Sequence, residues 1–147
     1  MGEAMTIATF ELSAAAAEDI AAVAGLLQDT ARWIMTWRSR LWDPDRLGEA
    51  FVTPLVGRGE VLTARIGGEI AAMVILQPDD PHFWPERPPG EAIYLHKLVV
   101  RRAYAGQGAP AALIDHAVGV AQAQGRRFLR LDCDRPLSPV YQRLGFR

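Results

Sequence analysis

The segment Leu98-Val99-Val100-Arg101-Arg102-Ala103-Tyr104-Ala105-Gly106-Gln107-Gly108-Ala109-Pro110 carries the densest chemistry in the chain. It reads as a strand, a glycine turn and the start of a helix. Glycine lets the backbone turn without a Cβ clash, so successive amide hydrogens can converge on an anion. A helix N-terminus adds partial positive charge at the same place. Arg101 and Arg102 stand beside it. Phosphate binding is one reading; an ordinary strand-to-helix connection is the other. Just upstream is His96, in Tyr94-Leu95-His96-Lys97-Leu98. Imidazole titrates near roughly 6.5 and can accept a proton at neutral pH. In a regular strand Tyr94, His96 and Leu98 share one face. Tyr94 is therefore a candidate proton-relay partner of His96, and a structural, sheet-bonded histidine is the alternative.

Two familiar phosphate-binding loops fit less well. No Gly-Lys-Ser/Thr follows the turn, so it is not a Walker A loop. Gly106, Gly108 and Ala111 do match G-x-G-x-x-A, and Asp132 stands about twenty residues on, where a ribose ligand belongs in a dinucleotide fold. However, five residues separate Val100 from Gly106, and only fifteen follow Asp132, too few for the further strand–helix units. A dinucleotide-binding protein is retained as an alternative.

The elements that must position these residues follow from periodicity. Thr6 to Leu12 alternates as a first strand. Ser13 caps a helix carrying Ile20, Val23, Leu26 and Leu27, which extends to about Trp37. Asp43-Pro44 opens a second helix with Leu47, Phe51 and Leu55 on one face, limited by Pro54. Glu60–Arg65 and Glu69–Leu76 flank Gly67-Gly68, a hairpin signal. Pro78 to Gly90 holds five prolines and is loop. Ala92 to Val100 is the most hydrophobic strand. Ala109 to Gln124 is a helix ended by Gly125, Phe128 to Cys133 a strand, and Ser138 to Leu144 a short helix stopped by Gly145. The order βααβββαβα predicts a mixed sheet with helices packed on it, an α/β (α+β) layered domain.

Composition agrees with one domain over 1–147. A chain of 147 residues can bury roughly 68–70% of its unfolded surface. With 50% hydrophobic and 22% charged residues it is globular. A single cysteine excludes an internal disulfide framework and a cysteine zinc site; Cys133 reads as a packed thiol. His82, His96 and His116 lack metal-ligand spacing, and no metal is expected. No apolar run reaches about 18 residues, and no basic-then-apolar leader opens the chain. A cytoplasmic protein is expected, with no membrane or nucleic-acid partner. Met1 to Thr6 matches a myristoylation pattern, but its first four residues are read instead as non-native residues ahead of a native start at Met5. The net charge of −1 hides a polarity: residues 1–96 carry 7 basic and 14 acidic side chains, residues 97–147 carry 9 and 3. The basic half suits an anionic ligand.

The turn resembles the acetyl-CoA motif of the GNAT (Gcn5-related) N-acetyltransferases, in which a hydrophobic strand and short basic turn lead into Q/R-x-x-G-x-G/A at a helix start. Ala105-Gly106-Gln107-Gly108-Ala109-Pro110 holds that register. Tyr141-Gln142-Arg143-Leu144-Gly145-Phe146 is similar to the family's terminal Y-x-x-L-G-F, and Leu129–Cys133 to its penultimate core strand. The likeness is strong from about Ala92 to Arg147; upstream it is one of order and length. Ala105 replaces the usual Arg or Gln. Pro110 offers no N–H, though proline is well tolerated in a first helical turn.

The resemblance implies a mixed, mostly antiparallel GNAT-like sheet flanked by helices, and a protein that acetylates a primary amine from acetyl-CoA by direct attack in a ternary complex. It implies that pantetheine runs along Leu98–Val100. Phosphates would meet the amides of Gly106, Gln107, Gly108 and Ala109, with Arg101, Arg102 or Arg143 supplying charge-assisted bonds. An arylalkylamine branch carries a base histidine in a similar stretch, which supports His96. Tyr141 falls where the family keeps a tyrosine beside the CoA sulfur. Its phenol can protonate a departing thiolate. Asp134 stands where the family often has asparagine. The acceptor is expected to be a small-molecule or peptide amine, walled by Trp37 and Trp84, with Glu86 or Asp80 pairing a cationic amine. Trp33 and Trp37, four apart, read as core packing. Ala105 and Pro110 also leave open a CoA-binding module without activity. The family usually has further strands after Gly-Phe, so the sheet is expected to be completed beyond Arg147 or to be one strand short, with a homodimer covering the edge.

Overall fold

The computed structural model describes residues 9–37, 42–133 and 137–147. The Met1–Thr6 pattern, the start of the first predicted strand and Asp134 lie outside them. Five strands form one sheet in the order β1 (Glu11–Ala14), β2 (Val61–Ile66), β3 (Glu69–Gln77), β4 (Ala92–Val100) and β5 (Phe128–Leu131). The first four pair antiparallel; only β4 and β5 are parallel. That pattern is not the parallel sheet of a dinucleotide-binding fold, and the alternative based on Gly106, Gly108, Ala111 and Asp132 is set aside.

Each element follows from local chemistry. Gly67 and Gly68 take φ of 56° and 85°, the two left-handed positions of a tight hairpin between β2 and β3. Helix α1 (Ile20–Met35) buries Val23, Ala24, Leu26, Leu27, Ala31 and Ile34 at three- and four-residue spacing. Ser13 lies in β1 and does not cap this helix. Asp19 precedes it instead, accepting the Ala16 N–H at 2.8 Å and pairing with Arg65 at 2.6 Å. Asp43-Pro44 begins only a 3-10 turn, and α2 (Glu49–Gly57) starts later. It continues through Pro54, which is exposed, because Val52 and Leu55 on either side are buried. Helix α3 (Ala109–Ala123) starts at left-handed Gly108 and carries Pro110 in its first turn; α4 (Ser138–Arg143) is short.

Two apolar layers sandwich the sheet. Residues of α1 and α2 pack on one face with Val61, Ile70, Met73, Ile75 and Val99. Ala109, Leu113 and Ile114 of α3 pack on the other face with Leu62, Ala64, Ala72, Val74 and Leu95. Leu95 and Val99 lie on one strand an even number of residues apart, yet belong to opposite layers. A bulge explains this. The β3–β4 register shifts between Met73 and Ile75, and Lys97 takes φ 53°, the one described non-glycine residue at positive φ. One extra residue in a strand inverts the two-residue alternation. Leu98 accordingly packs toward the α3 layer, away from the face that Tyr94 and His96 share in a regular strand.

Candidate active site

The bulge creates the site. Parallel pairing of β4 with β5 ends at Leu95 opposite Leu131. Beyond that point the β4 edge has no paired neighbour among the described residues, and it borders a cleft of about 500 Å³. His96 to Val100 form one wall, and Leu131, Asp132, Cys133 and Tyr141 form the other. Trp33 and Trp37 of the α1 end also reach it, as does Phe83. A second cavity of about 680 Å³ opens between β3, β4 and α2, lined by Trp42, Leu47, Phe51, Leu55 and Ile75. Asp43, Arg46 and Gln77 supply its polar atoms. The two cavities share Trp42, His96 and Lys97.

His96 stands at that junction with its side chain 24% exposed. Burial lowers its pKa, opposed by the carboxylate of Asp80 and reinforced by Lys97. It is therefore a neutral imidazole at neutral pH, with a lone pair available. Asp80 comes from the proline-rich loop and is almost fully buried. One of its oxygens accepts the Phe83 N–H at 3.2 Å. The other has no hydrogen-bond partner among the described residues and points at His96 Nε2, 3.8 Å away. Asp80 thus faces the histidine and not an amine. A buried acid in a loop of five prolines was visible in the sequence, but nothing there told which side chain it would meet.

Tyr141 lies on the opposite wall from β4, edge-on to Phe146 at 6.1 Å, with Cys133 beside it. Burial pushes its phenol upward in pKa, and Cys133 adds to that. It is a protonated hydroxyl in a cleft, fit to give a proton and unfit to act as a base. Cys133 lines the cleft, so it is not a core thiol.

After the bulged strand, the backbone turns through Gly106 and Gly108, at φ 77° and 89°, into α3. The amides of Gly106, Gln107, Gly108 and Ala109 donate to no acceptor among the described residues. Four open donors at the N-terminus of a fifteen-residue helix suit a phosphate chain. The arginines divide. Arg101 is held elsewhere: its Nε donates to the Ile70 carbonyl at 3.1 Å and meets Glu69 at 3.2 Å. Arg102 is exposed and lies 5.1 Å over the Trp33 ring, on the cleft side. Arg143 is exposed in the last turn of α4 and lines neither cavity.

Three expectations need correction. Tyr94 is buried, its hydroxyl accepts from Arg130 Nη1 at 3.2 Å, and it lines neither cavity. A tyrosine used this way braces β4 on β5 and relays no proton. Trp84 stacks on Tyr94 at 6.3 Å with Arg87 and Arg130 over its ring, and Glu86 beside it lies outside both cavities. Trp37 faces the first cleft, edge-on to exposed Trp33, and not the second. The aromatic walls of the second cavity are Trp42 and Phe51; the sequence placed Phe51 on one face of the second helix, but nothing local assigned either ring to an acceptor wall.

A sheet that splays after a bulge, a glycine turn with free amides and a tyrosine across the cleft define an acyltransferase of the acyl-CoA type. The sequence model of the Acetyltransferase (GNAT) family matches residues 27–146, and the chain belongs to that family. Over 138 residues it is 32% identical to the uncharacterized N-acetyltransferase YesJ of Bacillus subtilis (strain 168), covering 88% of this chain and 77% of the relative. Among solved structures, a GNAT-family acetyltransferase from Listeria monocytogenes 4b F2365 superposes with a TM-score of 0.78 at 27% identity, over 94% of this chain and 86% of that one. The PaiA N-acetyltransferase of Thermoplasma acidophilum, solved in complex with coenzyme A, shares the fold with a TM-score of 0.77 at 14% identity, over 95% and 90%. Among the described residues no helix is long and apolar enough to cross a membrane.

Proposed function

We propose that the chain, as one domain over 1–147, transfers the acetyl group of acetyl-CoA to a primary amine by direct attack in a ternary complex. The observation that carries this reading is the junction of two cavities at His96 and Lys97, with Tyr141 on the first cavity and the free amides of the glycine turn beyond it. The PaiA N-acetyltransferase that shares this fold was solved with coenzyme A, which supports coenzyme A as the acetyl carrier.

The residues fit that cosubstrate. The amides of Gly106 to Ala109 would hold the pyrophosphate, with Arg102 able to swing from Trp33 toward a phosphate. Ala105 and Pro110 bound this cradle without adding a donor. Leu98, Val99 and Val100 present an unpaired strand edge to the pantetheine amides. Acetyl-CoA supplies the activated thioester. His96, neutral and facing the second cavity, takes a proton from the amine, and Asp80 stabilises the imidazolium that results. An ordinary alkylamine is mostly ammonium at neutral pH, so such a base is required. Tyr141 gives its proton to the leaving sulfur.

The test is to mix the protein and acetyl-CoA with panels of amines and follow thiol release and acetylated product. Product that requires both substrates supports the reading. Tight CoA binding with no acetylation of any amine would replace it with a binding module.

A further inference from the structure

We propose that the acceptor amine carries a carboxylate beside it, as in an α-amino acid with a large apolar side chain, and that Lys97 binds that carboxylate in the second cavity. This rests on the acetyl-transfer reading for the fate of the amine, but the binding claim stands on geometry alone.

Lys97 is the odd residue of the site. Its ammonium lies 4.7 Å over the ring centroid of Trp42 and is within 4.0 Å of no carboxylate among the described residues. The other polar groups of the cavity have protein partners or, like the 86% exposed Arg46 side chain, lie mostly in solvent. Arg46 faces Asp43 at 3.7 Å, Gln77 donates to Glu60 at 3.1 Å, and His96 faces Asp80. One half-buried cation is thus left with only an aromatic face. Burial lowers its pKa, as desolvation without an anion must. Its backbone is also held at φ 53°, a conformation costing about 1 kcal/mol for a residue with a Cβ and tolerated mainly where function needs it.

Placement then gives the ligand class. His96 and Lys97 are consecutive and both line the cavity, so a base and a cation present themselves side by side. An amine and a carboxylate on one carbon match that pair. The rest of the cavity, Leu47, Phe51, Leu55 and Ile75 with the Trp42 ring, is apolar and has room for a branched or aromatic side chain. The cavity thus suits a carboxylate together with the cationic amine that Glu86 or Asp80 was expected to pair.

The closing experiment separates binding from turnover. Calorimetric titration of the full chain, with CoA present, uses 4-methylpentanoate, which has leucine's skeleton and no amine, against 4-methylpentanamide. The acid is expected to bind at least about tenfold more tightly, the scale of a charge-assisted bond, and Lys97→Met to abolish the difference. In the acetylation assay, leucine and phenylalanine should exceed isoamylamine and phenethylamine in kcat/KM by a similar factor. Lys97→Met should raise KM for the amino acids by about tenfold more than for the simple amines, which change only through the charge lost beside His96. Equal binding of acid and amide overturns the proposal whether or not any amine is acetylated. A Lys97→Met variant that loses all amines alike overturns it too, and assigns the ammonium to the thioester side. Preferential acid binding with no turnover would keep the carboxylate site and discard the acetyl-transfer reading.

Discussion

Asp80→Asn is the sharpest test of His96 as the proposed base. The substitution keeps the side chain's shape, and its amide oxygen can still accept the Phe83 N–H that closes the loop. What it removes is a negative charge 3.8 Å from His96 Nε2. Two unit charges about 4 Å apart interact by about 1 kcal/mol in water and about 4 kcal/mol at the effective dielectric of a protein surface. With Asp80 buried and His96 partly exposed, the pair lies between these limits. That energy stabilises the imidazolium formed when His96 takes the amine proton. If about half of it is realised in the transition state, kcat/KM falls by about 2- to 30-fold. The sign of the pH effect follows from the same contact. Asp80 raises the His96 pKa against the larger lowering by burial. Without it, His96 loses its proton at lower pH, so the acidic limb of the pH–rate curve moves further toward acid while the plateau drops. Steady-state acetylation from about pH 5 to 9 reads both. The exposed neighbour is the control: Asp79→Asn should change neither. A limb that stays in place, or moves toward alkali, would refute the Asp80–His96 pairing.

Tyr141→Phe should lower kcat by about 100-fold while acetyl-CoA affinity changes little, because the ring still packs on Phe146; equal turnover would remove the acid role. Gly108→Glu should greatly weaken CoA binding in calorimetry. A Cβ there meets nothing within 4 Å, so the cause is charge at the phosphate site plus left-handed strain, not a clash. Gly108→Asn, which tolerates positive φ, should retain most affinity, and an equal loss in both would refute the charge argument. Asp19→Asn should lose about 1–2 kcal/mol of stability to urea at neutral pH. The Arg65 hydrogen bond lowers the Asp19 pKa, so this contribution is full above about pH 4 and disappears as pH falls through the folded value. A wild-type and variant difference that persists at low pH would count against it.

Most of the fold was legible because its elements are strongly periodic. The order of strands and helices, the Gly67-Gly68 hairpin and the turn into α3 all follow from local chemistry. The misreadings share one cause, the influence of distant partners on local signals. Ser13 has a capping side chain, yet β2 recruits it into a strand, where Thr63 donates to its carbonyl at 3.0 Å. Pro54 carries a breaking signal that the packing of Val52 and Leu55 overrides. Tyr94 alternates in phase with His96, but Arg130, thirty-six residues away, takes its hydroxyl. The proposed cofactor half of the site is built from consecutive residues, which is why the sequence could suggest it. The acceptor half was not legible in this way, since it assembles Trp42, Phe51, Ile75 and Lys97 from four segments.

The bulge at Lys97 joins these two halves. A regular β4 would send Leu95, Lys97 and Val99 to one face and keep its edge parallel to β5. The inserted residue does three things together. It flips Val99 into the α1–α2 layer, anchoring the strand's end where the α3 layer held its start. It parts β4 from β5 after Leu95, which opens the cleft along Leu98–Val100. It also turns the strand at the point where His96 and Lys97 line both cavities. The sequence Leu95-His96-Lys97-Leu98 contains no glycine to announce a positive φ, and alternation alone predicts an unbroken strand. A glycine at position 97 would adopt the positive φ without strain but would leave no cation at the junction of the two cavities.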